Sequence, residues 1–309
     1  MILTVTLNPA IDKVFEVESF AVGHVFRPKN MWATAGGKGL NVSRVATILG
    51  EEVMATGFLG GANGQFIRSE LKKLGIRDAF VEIAGDTRIC IAINDPLLNT
   101  STEVLEPGPT ISAHEQEEFL NNFRKAVKEV DIVTISGSLP KGVPIDFYGK
   151  LIEISREFDK RVLLDTSGEV LLKSLEFYPF MIKPNQTELE AIAGRRMRTE
   201  QDILEAALKI YEKGIPLVCI TLGGNGCIAV TEKGAFRLKA PPIDIVSTVG
   251  SGDSFLAGCA VALVQHQSIE TALKTAMACG MANTQFAKTG YVSRELVDKF
   301  YEMVEITEL

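Results

Sequence analysis

Short runs of mostly apolar residues recur along the chain and predict buried strands. They lie at residues 2–7, 132–135, 162–164, 180–182 and 217–220. A strand with one solvent-exposed face would alternate apolar and polar residues, and these runs are too unbroken for that pattern. We therefore expect parallel strands in a sheet that is covered on both faces.

Segments with helical spacing lie between these runs. Ser112 and Glu115 can form a capping box at the start of one helix, and Thr199 precedes a second series of apolar residues at helical spacing. Strand and helix then alternate from about residue 130 to residue 285. This alternation predicts an α/β fold with a doubly wound, mostly parallel sheet flanked by helices.

Two early segments do not follow this alternation. Residues 13–35 and 88–105 have the alternating pattern of strands, without helical segments inside them. We interpret them as a small β-sheet lid over the main sheet, with an antiparallel extension of the main sheet as the alternative. No repeat, low-complexity tract or flexible linker interrupts the chain, so residues 1–309 are expected to form a single domain with a hinged lid.

Charge and composition exclude several classes of protein. The formal net charge is −7 and no run of Lys and Arg is interleaved with aromatic residues, so nucleic acid is not an expected partner. No stretch approaches 18 consecutive apolar residues, and the N-terminus lacks the basic segment of a secretory signal. We expect a cytoplasmic protein with no membrane association.

Cysteine and histidine offer little chemistry. The five cysteines are widely spaced and form no CxxC motif, which is typical of reduced, structural thiols. The three histidines are isolated, so neither a zinc site nor a histidine-based hydrolase triad has candidates. Any metal chemistry is expected to use magnesium bound to oxygen ligands.

The strongest local motif is TVGSGDSFLAG at residues 248–258. Gly250 and Gly252 directly precede an apolar helical segment, so backbone amides at a helix N-terminus can converge on a phosphate. Asp253 would repel that phosphate unless it receives a proton from the attacking hydroxyl group. The alternative is that Asp253 is an ordinary acid at the start of a helix.

A second glycine cluster, AGGKGLNVSR, occupies residues 35–44 and opens a helix that is expected to end near Leu49. It is not a Walker A loop, because Gly39 stands where Ser or Thr is required. Lys38 is unfavourable at a helix start, so its presence indicates a nearby anion; the alternative is a solvated surface lysine.

Two further segments follow predicted buried strands, at the sheet edge where ligands bind in open α/β folds. Asn185 and Glu188 lie about one turn apart in IKPNQTELE (182–190). Taken alone, they can equally be a helix cap. Residues 221–226, TLGGNG, can equally be a simple hairpin turn.

Taken together and in this order, the segments resemble the ribokinase or PfkB family from residue 7 to residue 292. The matching motifs are LNPAID (7–12), AGGKGLNVSR, GDTR (85–88), SGSLPKG (136–142), KPNQTE (183–188), TVGSGD (248–253) and TGYV (289–292). Their details are similar to the branch that contains 1-phosphofructokinases and tagatose-6-phosphate kinases. The resemblance implies a ribokinase-like fold and the use of ATP and Mg²⁺.

The resemblance also implies roles for individual residues. Asp253 matches the catalytic base. The loop whose amides hold the transferring phosphoryl group is matched by Gly250, Ser251 and Gly252. The sugar hydroxyl groups would be bound by Asp12, Gly37 and Asn41, and the phosphate already on the sugar by Arg27, Lys38, Arg88 and Ser138.

On the nucleotide side, the resemblance implies a second group of residues. Those that match the ATP-binding positions are Lys183, Asn185, Thr221, Gly223, Gly226 and, near the adenine, Asn283. Glu188 matches the magnesium side and would reach the ion through water. Ser247 stands where many members of the family have an aspartate that helps to bind a monovalent cation, so the resemblance does not extend to activation by potassium.

The sequence therefore predicts ATP-dependent phosphorylation of a ketohexose phosphate to a 1,6-bisphosphate. Tagatose 6-phosphate and fructose 1-phosphate both remain open as acceptors, and fructose 6-phosphate is the alternative. A non-catalytic sugar-phosphate-binding regulator would be expected to lose the base or the glycine loop, and both are present. A Rossmann dehydrogenase lacks support because no GxGxxG follows the first strand. Family analogy and the open edges of a small sheet suggest a homodimer through the lid.

Overall fold

The computed structural model covers residues 1–309 and contains a large sheet, helices on both of its faces and a separate small sheet. The strands are β1 (Ile2–Thr6), β2 (Ala10–Glu16), β3 (Asn30–Gly36), β4 (Val53–Leu59), β5 (Arg77–Asp78), β6 (Val81–Glu82), β7 (Arg88–Asp95), β8 (Thr100–Leu105), β9 (Ile132–Ser136), β10 (Arg161–Asp165), β11 (Met181–Ile182), β12 (Leu217–Thr221), β13 (Cys227–Thr231), β14 (Gly234–Lys239) and β15 (Glu305–Glu308).

Ten α-helices connect or flank these strands. They are α1 (Lys38–Ile48), α2 (Gly61–Lys73), α3 (Ala113–Ala126), α4 (Phe147–Glu157), α5 (Gly168–Leu175), α6 (Gln186–Ala193), α7 (Glu200–Glu212), α8 (Ser251–Val264), α9 (Ile269–Asn283) and α10 (Arg294–Met303). Two short 3-10 turns occur at Val127–Glu129 and Gly223–Asn225. No helix has both the length and the apolar character that a membrane span requires.

The large sheet has the strand order β15-β14-β13-β12-β11-β10-β9-β1-β4-β5, and β6 also pairs with β4. Every neighbouring pair from β12 to β5 is parallel, whereas β13, β14 and β15 extend the sheet in antiparallel fashion. All five apolar runs are strands within the parallel part. The prediction of a doubly wound, mostly parallel sheet is confirmed.

The two faces of this sheet have separate apolar cores, which explains the unbroken apolar runs. In β1, Ile2 belongs to the core that includes α1, α8 and α9, while Leu3 and Val5 belong to the opposite core with α3, α4 and α7. All three side chains are fully buried. Because successive side chains point to opposite faces, a strand covered on both sides needs apolar residues at almost every position.

The small sheet has the order β3-β2-β7-β8, with β2 and β7 parallel and the outer pairs antiparallel. It does not pair with the large sheet, so the alternative of an edge extension is wrong. The first lid segment begins slightly earlier than predicted, at Ala10, because β2 follows β1 after a break of only three residues. This small sheet is called the lid below.

The predicted helix starts and the predicted hairpin are confirmed. Ser112 and Glu115 form a capping box at α3, and Thr199 caps α7 together with Asp202. Residues 221–226 turn the chain between β12 and β13, which pair antiparallel. The first turn of each capped helix thereby satisfies amides that would otherwise lack acceptors.

Candidate active site

A cavity of about 890 Å³ lies at the carboxyl ends of the central parallel strands, under the inner face of the lid. β1 and β9 are neighbours there, although the chain proceeds from β1 toward β4 on one side and from β9 toward β12 on the other. Such a reversal of strand order opens a crevice in doubly wound sheets. The position of the cavity therefore follows from the topology.

The glycine loop forms one wall of this cavity. Gly250 is the N-cap of α8 with φ 84°, and a Cβ there would lie 2.7 Å from the amide nitrogen of Gly290. Gly252 and Asp253, in the first turn of α8, line the cavity, and their backbone amides have no acceptor within the protein. Free amides at a helix N-terminus favour an anion, so this loop can accept one.

Asp253 lies beside these amides and is only 6% exposed. Its Oδ2 accepts a hydrogen bond of 2.8 Å from Nδ2 of Asn41, and its side chain makes no capping bond to α8. Burial and the negative charge of Asp165 raise the pKa of Asp253 to about 6, against the opposing charges of Lys38 and Lys183. A carboxylate of this kind is a better proton acceptor than an ordinary aspartate.

Lys38 has the nearby anion that its position at a helix start predicts. Its Nζ lies 3.3 Å from Oδ1 of Asp165, and Nζ of Lys183 lies 3.4 Å from Oδ2 of the same carboxylate. Burial raises the pKa of Asp165, but the two lysines together have the larger effect. The pKa of Asp165 therefore lies below its ordinary value. Asp165 therefore stays ionised and holds both lysines at the cavity.

Asp165 was missed by the sequence analysis, although it bears directly on the site. It is the last residue of β10, at the carboxyl end of a buried strand. A polar residue directly after the apolar run at 162–164 is the signal that could have identified it, because such positions face the ligand crevice.

The lid contributes Asp12 and Arg88 to the same cavity. Burial raises the pKa of Asp12 to about 6, against the charges of Arg88 and Arg44 and a hydrogen bond from the backbone of Gly37. Arg88 donates hydrogen bonds of 2.9 Å to the carbonyl oxygens of Asn8 and Glu106, and its Nε is buried without a partner. This end of the cavity thus combines hydrogen-bonding and cationic groups.

Most of the residues predicted for the site meet in this cavity. Those that line it are Asp12, Gly37, Lys38, Asn41, Arg88, Ser138, Lys183, Asn185, Glu188, Thr221, Gly250, Gly252 and Asp253. They come from the lid and from five segments of the main fold. Residues that are far apart in the sequence therefore form one continuous surface.

Five predicted residues do not line the cavity: Arg27, Ser251, Gly223, Gly226 and Asn283. Arg27 is exposed in the loop between β2 and β3, where most of the neighbouring residues are exposed as well. Ser251 lies between Gly250 and Gly252 in the glycine loop, but its own atoms do not line the cavity. Gly223 and Gly226 belong to the hairpin turn behind Thr221.

Asn283 lies inside the protein rather than at the predicted adenine position. Its Nδ2 donates to the carbonyl of Val249, and its Oδ1 accepts from Ser254 and from the amide of Tyr291. Because the side chain is fully buried and does not line the cavity, this position does not support the expected direct contact with adenine. The side chain instead holds the glycine loop in place.

Asn185 and Glu188 form a capping box at the start of α6. Oδ1 of Asn185 accepts from the amide of Glu188, and Oε2 of Glu188 accepts from the amide of Asn185, both at 2.9 Å. The helix-cap interpretation is therefore correct, and both residues also line the cavity. Oε1 of Glu188 has no partner and can bind a water molecule of a hydrated cation.

No group of three or more His, Cys, Asp or Glu side chains is arranged to hold a metal ion. This donor set fits Mg²⁺ that arrives on nucleotide phosphates and keeps several water molecules, since Mg²⁺ is usually held by one or two carboxylates and the substrate. Glu188 and Asp165 are the carboxylates of the cavity that contact Asn185 and Lys183, two of the predicted ATP-binding residues.

The raised pKa of Asp253 predicts the acid limb of any activity that uses it as a base. The ionised form accepts the proton, so kcat/KM should be maximal above about pH 6 and fall as the pH drops through that value. An ordinary aspartate would hold its activity to about pH 4. The measurement is a pH profile of kcat/KM between pH 4.5 and 8.5, and a flat profile down to pH 5 would contradict the assignment.

The pKa of Asp12 is also raised to about 6, so its effect on the pH profile must be separated from that of Asp253. The Asp12→Asn variant removes that second titration and should retain the limb that belongs to Asp253. Loss of the limb in this variant would assign the titration to Asp12 instead.

Comparisons with known proteins point to one family. Residues 5–295 match the model of the pfkB family carbohydrate kinases. The chain is 39% identical to tagatose-6-phosphate kinase of Staphylococcus epidermidis over an alignment of 315 positions, which covers 100% of both proteins.

Two solved structures have the same fold over almost the whole chain. Phosphofructokinase-2 from Escherichia coli in complex with fructose-6-phosphate is 28% identical with a TM-score of 0.90, covering 97% of this chain and 98% of that one. The tetrameric inhibited form of phosphofructokinase-2 from Escherichia coli is also 28% identical, with a TM-score of 0.89 and the same coverage.

Proposed function

Because the chain belongs to the pfkB family of carbohydrate kinases, we propose that it transfers the γ-phosphoryl group of ATP to a primary hydroxyl of a ketohexose phosphate, giving a 1,6-bisphosphate. The observation that carries this proposal is the position of Asp253. It is a buried carboxylate with a raised pKa, next to two free amides at the N-terminus of α8. A base and an anion cradle are thus adjacent, as phosphoryl transfer requires.

The cavity divides into two parts around this centre. The lid and the start of α1 supply groups for the sugar, among them Asp12 and Asn41. Lys183, Asn185 and Thr221 line the opposite side, at the ends of β11 and β12, where the nucleotide would lie. The exposed side chains of Val246 and Val249 offer apolar surface to a base on that side. Asp253 lies between the two parts.

Asp253 acts as the general base in this mechanism. Its Oδ2 is occupied by Asn41, and Oδ1 has no partner within the protein, so Oδ1 accepts the proton of the attacking hydroxyl group. The amides of Gly252 and Asp253 bind the phosphoryl oxygens as charge develops on them. Positioning and electrostatic stabilisation supply most of the catalysis in such a transfer.

The two lysines add positive charge to the same region. The charges of Asp165 and Asp253 raise the pKa of Lys38 above its ordinary value although burial opposes this, so its ammonium group stays charged. Lys183 is 6% exposed and reaches the cavity beside Gly252, where it can neutralise charge on the transferring group. Mg²⁺ bound to ATP would further neutralise the phosphates, with Glu188 on its side of the cavity.

We propose tagatose 6-phosphate as the acceptor. This choice is supported by the name of the relative that is 39% identical over its full length. The phosphate on the sugar would lie near Arg88 and Ser138, which line the cavity and both contact Asn8. Arg88 is half-buried and its Nε has no partner in the protein, so a phosphate group would supply the anionic acceptor that a neutral sugar lacks.

Fructose 6-phosphate and fructose 1-phosphate are the other acceptors to consider. Escherichia coli phosphofructokinase-2, whose structure contains fructose-6-phosphate, has a TM-score of 0.90 to this chain. A ketohexofuranose has hydroxymethyl groups on both sides of its ring oxygen, so one pocket can hold a phosphate at either end. The three sugars differ only in the position of the phosphate or the configuration of a hydroxyl group.

The proposed reaction is tested by identifying its product. The purified protein is incubated with Mg-ATP and tagatose 6-phosphate, and the product is followed by ³¹P NMR. We expect equal amounts of ADP and of a sugar bisphosphate. The second phosphorus resonance of that product should come from the phosphate on carbon 1. Release of ADP and inorganic phosphate without a bisphosphate would contradict the proposal.

The outer face of the lid supports a homodimer. Strand register places Phe15, Met31, Ile91, Ile93 and Val104 on the face opposite to Asp12 and Arg88. Met31 is 72% exposed and Val104 57% exposed, so apolar side chains lie open on a sheet with free edges. Contiguous exposed apolar surface of this kind marks an interaction site. We propose that a second copy of the chain covers it.

Substituting the two exposed lid residues tests this dimer. The double variant Met31→Lys, Val104→Lys should be monomeric in light scattering at concentrations where the wild type is a dimer, because four lysines would face each other in one interface. Leu172→Lys is the matched control, since Leu172 is an exposed apolar residue on α5. A wild type that is already monomeric, or a double variant that stays dimeric, would refute the lid interface.

A further inference from the structure

Arg44 is a buried cation that has no role in the mechanism above. It lies in the second turn of α1, is 4% exposed and binds uncharged oxygen atoms. A buried charge without a paired anion costs stability, unless hydrogen bonds compensate for the lost water. The acceptors of its guanidinium group come from three different segments around Asp253, and each of them has a consequence for the site.

The first acceptor is the side chain of Asn41. Nη1 of Arg44 donates to Oδ1 of Asn41 at 3.0 Å, and Nδ2 of Asn41 donates to Oδ2 of Asp253 at 2.8 Å. A guanidinium group can only donate, so it selects the amide orientation in which the oxygen faces Arg44 and the nitrogen faces Asp253. With the amide turned around, an oxygen would face the carboxylate.

The second pair of acceptors is the turn at residues 289 and 290. Nη1 of Arg44 also donates to the carbonyls of Thr289 at 3.0 Å and Gly290 at 3.4 Å. A Cβ on Gly290 would lie 2.5 Å from Cβ of Asn41, and a Cβ on Gly250 would lie 2.7 Å from the amide nitrogen of Gly290. The turn is therefore wedged between α1 and the glycine loop, and Arg44 holds it there.

The third acceptor belongs to the lid. Nη2 of Arg44 donates to the carbonyl of Ala35 at 2.6 Å. Ala35 lies near the end of β3, two residues before Gly37, whose backbone amide helps to lower the pKa of Asp12. The same guanidinium group thus binds the strand through which the lid joins α1.

We propose that Arg44 is a positioning residue that fixes the Asn41 amide, the 289–290 turn and the end of the lid, so that Asp253 keeps one carboxylate oxygen free for the substrate hydroxyl. This inference rests on the proposed function, in which Asp253 accepts the proton. Arg44 itself does not touch the reacting atoms in this account. It acts through Asn41 and through the backbone that supports the glycine loop.

Arg44 also favours the ionised form of Asp253, both by its charge and through the Asn41 hydrogen bond. The other charged groups that face Asp253 are Asp165 from β10, Lys38 from α1 and Lys183 from the segment after β11. The charged groups that face Arg44 are Asp12 from β2, Glu70 from α2, Asp253 from α8 and Lys288 from the segment after α9. Removing the Arg44 charge should therefore move the titration of Asp253 to higher pH.

The test compares Arg44→Gln and Arg44→Lys with a matched buried arginine. In Arg44→Gln we expect kcat to fall by about 10-fold to 100-fold, KM for ATP to change by less than about threefold, and the acid limb of kcat/KM to move up by about half a unit to one unit. Arg44→Lys keeps the charge but loses the planar fork of donors that reaches three segments, so it should keep the wild-type position of the acid limb and recover only part of kcat.

The control is Arg237, a buried arginine on β14 that is 5% exposed, does not line the cavity and pairs with Glu200. It also donates to backbone carbonyls, those of Cys227 and Leu238. Arg237→Gln should lower the melting temperature and leave the acid limb unchanged. If Arg44→Gln behaves in the same way, with an unchanged limb, Arg44 is merely structural and the inference is wrong.

A second readout separates this inference from the proposed function. The carboxyl ¹³C resonance of Asp253, identified by its absence in Asp253→Asn, is titrated in the resting protein without substrate. A higher pKa in Arg44→Gln than in the wild type supports the inference even if no ketohexose phosphate is phosphorylated, in which case only the function fails. Normal kinase activity with an unchanged Asp253 titration overturns the inference and keeps the function.

Discussion

Replacing Asp253 with asparagine should lower kcat by at least about a hundredfold while leaving the affinity for ATP almost unchanged. General-base assistance typically contributes about 10² to 10⁴ in rate, and a hundredfold corresponds to about 2.7 kcal/mol of transition-state stabilisation. Asparagine has nearly the same shape and can still accept the hydrogen bond from Asn41, so the fold and the glycine loop should remain. The variant removes the proton acceptor and little else.

The measurement is steady-state kinetics with Mg-ATP and the preferred sugar, together with direct binding of ATP to the variant. Glu295→Gln is the matched control, because Glu295 is also an acid in the first turn of a helix, α10, but is far from the cavity. The control should have wild-type kcat. Unaltered turnover in Asp253→Asn would remove this residue from the role of base.

Replacing Arg88 with alanine should raise KM for the phosphorylated sugar by about thirtyfold or more, and KM for ATP by less than about threefold. Truncating one partner of a buried, hydrogen-bonded charge pair typically costs about 2 to 5 kcal/mol. Arg88 lines the sugar side of the cavity, close enough to Asp12 for its charge to lower the pKa of that carboxyl. The nucleotide side is lined by other residues, which explains the expected selectivity.

Two variants sharpen this second experiment. Arg88→Lys keeps the charge but loses the fixed fork of donors that binds the carbonyls of Asn8 and Glu106, so only partial recovery is expected. Arg68→Ala is the control, since Arg68 pairs with Asp78 and Glu82 outside the cavity. Equal increases in both KM values for Arg88→Ala would contradict a role in binding the substrate phosphate.

The architecture was largely predictable because it depends on local patterns. Each apolar run became a parallel strand, and the capping residues Ser112 and Thr199 began helices as expected. The two lid segments were also found, since their alternation differs from that of the covered strands. The separation of the lid from the main sheet could not be derived in the same way, because strand pairing is decided by tertiary contacts.

The arrangement of the site was predictable where neighbouring residues form one motif. Gly250, Gly252 and Asp253 lie at the start of one helix and line the cavity, as their spacing in the sequence predicts. Asp165 and Arg44 were missed because each acts on residues far along the chain. Asp165 pairs with Lys38 across 127 positions, and Arg44 binds a carbonyl 245 positions away.

Arg27 and Asn283 match positions of the family but do not line the cavity. Sequence alone does not indicate how exposed a loop residue is or which way an amide faces. Arg27 is exposed in a loop, and the amide of Asn283 is bonded inside the protein. The roles of these two residues stay predictions.

The central claim is that this chain phosphorylates a ketohexose that already has a phosphate. The most direct test is a coupled ADP-release assay with Mg-ATP, comparing kcat/KM for tagatose 6-phosphate, fructose 6-phosphate, fructose 1-phosphate and unphosphorylated fructose. We predict that kcat/KM for one phosphorylated ketohexose exceeds that for fructose by at least about a hundredfold, with tagatose 6-phosphate preferred, because Arg88 would bind the phosphate group. Turnover on fructose alone would contradict the account of the substrate while leaving the fold and Asp253 in place.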